Sequence, residues 1–175
     1  MISTTTILVA IVGSAIGGVV GSWLQIRHER QEAFRERMLE AADAAANSVA
    51  ASLSATRLAL VELESWLIDG GPSERSSAAH ERARHLLDET TDFAGRVDLL
   101  YGLDSGIGDA LRRTRGFLRR ALSEAAQSPS PLDLDRSANA FKEAEQAYAD
   151  FVRRARDAAM LYGVSSLRRS LARGR

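Results

Sequence analysis

Residues 130–162 read SPLDLDRSANAFKEAEQAYADFVRRARDAAMLY, and their spacing decides the fold. Ser130 offers an N-cap hydroxyl, Pro131 suits the first helical position and Asp133 puts an acid in the first turn, so a helix is expected to begin here. Along it Ser137, Phe141, Ala144, Tyr148, Phe151, Ala155, Ala158 and Tyr162 keep alternating four- and three-residue steps. That spacing lays one side of a helix against its neighbours. The opposite side carries Asp150, Arg153, Arg154 and Asp157, spaced as a solvated face whose ion pairs are worth only tenths of a kcal/mol each. A helix with one such seam needs partners to cover it.

Working outward, the preceding segments supply them. Residues 105–127 present Ile107, Ala110, Leu111, Thr114, Phe117, Leu118, Ala121, Leu122 and Ala125 on one face, then stop at Gln127-Ser128-Pro129-Ser130-Pro131. Gly116 falls in the middle, where it weakens a helix by ~1 kcal/mol relative to alanine and marks either a close contact or tolerated slack. Residues 72–101 carry Ala79, Ala83, Leu86, Leu87, Phe93, Ala94, Val97 and Leu100, with Asp92 and Arg96 placed as an exposed pair, and Gly102 ends them. Residues 27–68 repeat the pattern with Phe34, Met38, Ala41, Ala45, Val49, Ser52, Ala55, Ala59, Leu63 and Trp66, up to the stop at Asp69-Gly70-Gly71-Pro72. The centre of that seam is alanine and serine, which implies close approach of a neighbour. Short turns force sequential helices side by side, so an antiparallel up-down-up-down bundle is expected.

The first segment, Ile2–Ile26, contains no charged side chain and breaks into Arg27-His28-Glu29-Arg30. Its length suits a transmembrane helix, because ~37 Å at about 1.5 Å per residue exceeds a hydrocarbon core of roughly 30 Å. A cleaved signal peptide fits less well, since no basic residue precedes the apolar run. Arg27, Arg30, Arg35 and Arg37 all follow it, so the positive-inside rule predicts a single-pass protein of the cell membrane, N-terminus outside and bundle cytoplasmic, with Trp23, Arg27 and Arg30 at the interface. Gly13, Gly17 and Gly21 recur at four-residue spacing beside Ser14 and Gly18, a flat ridge of the kind that packs helices closely. The C-terminal residues 164–175 include Arg168, Arg169, Arg173 and Arg175 with Leu167 and Leu171 four apart, and read as a basic amphipathic tail near a lipid surface. The expected organisation is thus all-α: an anchor over 1–26, a four-helix bundle over 27–163 and the tail.

The chemistry classes this chain excludes are informative. Its 175 residues hold no cysteine, so neither disulfides nor thiolate metal sites are available. The 23 basic and 23 acidic residues balance, which argues against nucleic acid as a partner. His28, His80 and His85 form no HExxH or paired Glu-x-x-His pattern, Glu81 and His85 are spaced as an exposed pair, and Gly102–Gly108 lacks the lysine of a phosphate loop. No serine is placed with a histidine in a recognisable catalytic motif. No enzyme activity, metal or cofactor is therefore expected.

The stretch GSAIGGVVGSWLQIRHERQEAFRERMLEAA, residues 13–42, resembles the opening of uncharacterised bacterial, often actinobacterial, single-pass proteins in which a glycine-rich span leads into an Arg/Glu-rich helix. The resemblance implies tethering and no activity. The general plan is also similar to LemA-type proteins, whose motif after the span is absent here, so nothing is carried over from them. The functional expectation is a membrane-tethered interaction or scaffold protein, with the lipid bilayer and either a homo-oligomer or another membrane protein as partners. A pore-forming or phage-lysis effector and a signal-relay subunit are the alternatives.

Overall fold

The computed structural model describes residues 4–69, 74–127 and 131–172, with side-chain surroundings for 22–68, 74–125 and 133–161. Among the described residues all regular structure is helical. The elements are α1 (Thr4–Asp69), α2 (Glu74–Glu89), α3 (Thr91–Tyr101), a 3₁₀ turn (Leu103–Ser105), α4 (Ile107–Gln127) and α5 (Pro131–Ala172).

These helices pack against one another around two apolar clusters, and the clusters give the direction of each. The first joins Ala42, Ala45 and Val49 of α1 to Ala94 and Val97 of α3, Ile107 and Leu111 of α4, and Phe151 and Ala155 of α5. The second joins Ala55 and Ala59 to Ala83 and Leu87 of α2, Leu118 and Leu122, and Phe141 and Ala144. The chain therefore passes from the first cluster to the second along α1, returns through α2 and α3, goes out along α4 and returns along α5. Side chains such as Leu111 and Leu118, 0% exposed, each contribute roughly 1.5–3 kcal/mol by leaving water.

The seams follow the expected spacing with local differences. On α1, Ala42 and Thr56 join the buried set, whereas Ala41 is only half-buried. A helix of about 3.6 residues per turn drifts against a strict heptad, so the contact stripe moves sideways over so long an element. Every position expected on α4 is buried except Phe117, which is half-buried.

The segment expected as one helix over 72–101 is two. Thr90 and Thr91 interrupt it: the buried Thr90 hydroxyl donates to the Leu87 carbonyl at 2.6 Å and that of Thr91 to Asp88 at 2.6 Å. Threonine side chains that bond their own backbone compete with the helical ladder. Sequence periodicity is blind to this, because the apolar residues keep their phase across the break. At the other extreme, α5 does not end with the bundle boundary expected at residue 163 but continues to Ala172.

One expectation is overturned outright. Among the described residues no helix is long and apolar enough to cross a membrane, and the single-pass placement, with the N-terminus outside and the bundle in the cytoplasm, is withdrawn. The part of α1 whose side-chain surroundings are described begins at Ser22, and from Arg27 it carries Arg27, Arg30, Arg35 and Arg37 interspersed with Glu29, Glu32, Glu36 and Glu40, a density of charge that hydrocarbon does not accept. The glycine ridge of Gly13, Ser14, Gly17, Gly18 and Gly21 lies outside the residues whose side chains are described, as do Arg168, Arg169 and Arg173.

Candidate functional site

Three surfaces of the described residues bring polar or exposed apolar side chains together. The first is where α1 and α5 emerge together. Because Phe151 and Ala155 share a cluster with Ala42 and Ala45, the part of α5 beyond Ala159 and the part of α1 before Met38 leave the core at the same end. Trp23 is 57% exposed there, with Leu24 and Ile26, and on α5 Met160 and Leu161 are 59% and 66% exposed. The Arg27 guanidinium lies 5.4 Å from the Trp23 ring centroid, a cation–π contact worth about 0.5–1 kcal/mol at an exposed site. Sequence reading places Trp23, Arg27 and Arg30 together at a membrane interface, for which no membrane span remains among the described residues; in the structure Trp23 and Arg27 touch, and Arg30, also exposed, takes no part in that contact.

The second surface is the corner where α3 turns into α4. Gly102, at φ 85°, ends α3, and Gly106, at φ 66°, precedes Ile107 in the left-handed region that glycine accepts without strain. Gly108 then allows a close approach: a Cβ there would collide with the Asp98 carboxylate. Arg112 donates to Asp98 at 2.6 Å and also to Asp109, and these two hydrogen bonds raise its pKa further. Asp150 of α5 accepts from Arg153 at 2.6 Å, Arg154 at 2.8 Å and Arg113 of α4 at 3.5 Å. The hydrogen bond from Arg153 holds the Asp150 carboxyl below the usual carboxylate range, with Arg154 adding to the effect. The i,i+3 and i,i+4 charges read as a solvated face are indeed on the surface, but they also tie α5 to α4.

The third is a cleft of about 350 Å³ between α2 and α4, lined by His80, Arg84, Leu87, Asp88, Arg119 and Leu122 among others. No motif marks it in the sequence, since its residues come from two helices some forty positions apart. Burial lowers the His80 pKa, and the Arg84 charge lowers it further.

No protein-family model, curated protein or solved structure significantly matches this chain. Its reading rests on these surfaces alone. Among the described residues no group of three or more histidine, aspartate and glutamate side chains is placed to hold a metal. His85 pairs with Glu89 at 3.2 Å, one turn on from the Glu81 partner that spacing suggests, and Arg96 lies 5.9 Å from the Phe93 ring centroid.

Proposed function

We propose that the chain is a helical interaction module that assembles with a second copy of itself through the part of α1 preceding the bundle core. The observation that carries this reading is that, among the described residues, α1 before the core exposes Trp23, Leu24 and Ile26 and α5 exposes Met160 and Leu161 where the two helices leave the core, while the other exposed large apolar side chains, Leu58, Val61, Ile68, Leu99 and Leu103, lie elsewhere on the bundle. Three large apolar side chains within four residues of one exposed helical segment, Trp23, Leu24 and Ile26, favour a covering partner, because water penalises leaving them open. The adjoining sequence favours like pairing with like. Residues 27–40 hold Arg27, Arg30, Arg35 and Arg37 against Glu29, Glu32, Glu36 and Glu40, so two copies can lie side by side without net repulsion and with opposite charges within reach.

The mass of the full chain in analytical ultracentrifugation tests this. A Trp23→Glu, Ile26→Glu variant is expected to sediment as a monomer at concentrations where the parent is at least dimeric, with unchanged helical circular dichroism. Equal masses for parent and variant would overturn the reading.

A further inference from the structure

We propose that the cleft between α2 and α4 binds a small carboxylate with an apolar body, its head group held by Arg84 and Arg119 and its body laid on Leu87 and Leu122. The floor is apolar and part of the core: Leu87 and Leu122 are each only 3% exposed over the whole residue, yet both line the opening. The rim is cationic. Arg84 and Arg119 face it from opposite helices, and among the described residues neither forms an ion pair, in contrast to Arg112, Arg113, Arg153 and Arg154, each of which has an aspartate partner.

The charges around the cleft also crowd one another. Arg115, one turn before Arg119 on α4 and beside the cleft's lining, is held below the usual guanidinium pKa by burial and then by the Arg119 charge, with Asp88 and Asp92 acting the other way; it donates to the Thr91 hydroxyl at 2.7 Å, and its Nε is buried with no hydrogen-bond partner. Asp88 is the one acid on the cleft's lining against Arg84 and Arg119, and burial disfavours a charge on His80. An added anion would relieve that imbalance. A carboxylate suits it, because planar guanidinium groups bind carboxylate oxygens in pairs and do so most strongly beside apolar surface. The volume, about 350 Å³, falls within the range of small-molecule sites, and apolar lining with a few convergent polar groups is their usual make-up. The site is independent of the α1 surface, which lies at the other end of the bundle.

Titration of the full-length protein with sodium octanoate, against 1-octanol as a neutral control of the same body, tests the proposal by calorimetry. Octanoate is expected to bind, octanol at least tenfold more weakly, and Arg84→Gln, Arg119→Gln to raise the octanoate Kd at least tenfold. Both arginines are exposed, so the double variant keeps its melting temperature without ligand. Absence of octanoate binding, equal binding of octanol, or an unchanged Kd in the variant would each overturn the assignment; the last would mean that octanoate lies on apolar surface elsewhere, the leading part of α1 included.

Discussion

The two ends of the bundle are built from the same apolar periodicity and differ in how their polar atoms are satisfied. At the end of the first cluster, side chains reach across helices and find partners. The Tyr101 hydroxyl donates to the Met38 carbonyl at 2.9 Å and that of Tyr148 to Ala46 at 3.3 Å, while Arg112 ties α4 to α3 through Asp98. At the end of the second cluster the cross-helix ion pairs are long, Arg57 to Glu145 at 3.7 Å and Arg120 to Glu143 at 3.9 Å. Of the buried polar atoms without a partner among the described residues, Trp66 Nε1, Glu124 Oε2 and Ser137 Oγ belong there, against Asp98 Oδ1 at the first end, and the cleft between α2 and α4 opens there as well. Hydrogen bonds add little net stability when made and cost more when a buried group goes without. The first end is thus held by shorter cross-helix bonds, and the second keeps more buried polar atoms without a partner.

Truncating one aromatic in each cluster gives the largest test of that contrast. Phe151, 0% exposed in the first cluster, should cost about 3–5 kcal/mol when replaced by alanine. Phe141, 9% exposed under the Arg57 guanidinium, should cost less. Chemical denaturation of Phe151→Ala and Phe141→Ala measures both, and equal losses would break the distinction.

A smaller effect comes from the tie itself. Tyr101→Phe is expected to lose about 0.5–1.5 kcal/mol, the net value of one hydrogen bond. The Tyr101 pKa is pushed up to about 12 by burial and by the nearby Asp43 charge, against about 10 in an unfolded chain. Above pH ~10 the unfolded phenol loses its proton while the native one keeps it, so the native state binds more protons and stability falls as pH rises toward ~12. Below pH ~10 the contribution is complete. Unfolding midpoints across this window should drop less steeply in Tyr101→Phe than in the parent.

The smallest effect separates two glycines of α4. A Cβ at Gly116 meets nothing within 4 Å, so Gly116→Ala should stabilise by about 0.5–1 kcal/mol through helix propensity alone. At Gly108 the same change meets the Asp98 carboxylate and strains its bridge to Arg112. Thermal unfolding should show a gain for the first and none for the second. A gain in both would mean that the Asp98 contact contributes nothing.

By itself the sequence determined that the chain is helical, where most of its helices begin and end, and which faces they bury. Apolar spacing near 3.6 residues, proline and glycine stops and short connections act locally, and local forces are written along the chain. It also misled where a local property stood in for an environment: an uncharged run predicted a span, yet among the described residues no helix is long and apolar enough to cross a membrane. Tertiary structure alone decided the rest. The break at Thr90 depends on hydroxyls choosing backbone acceptors, and the Asp98–Arg112 and Arg113–Asp150 ties join residues 14 and 37 positions apart. The cleft exists only because Arg84 and Arg119 are brought to facing helices. Partnership between side chains is a matter of distance in space, and no period along one helix encodes which residue of another it will meet.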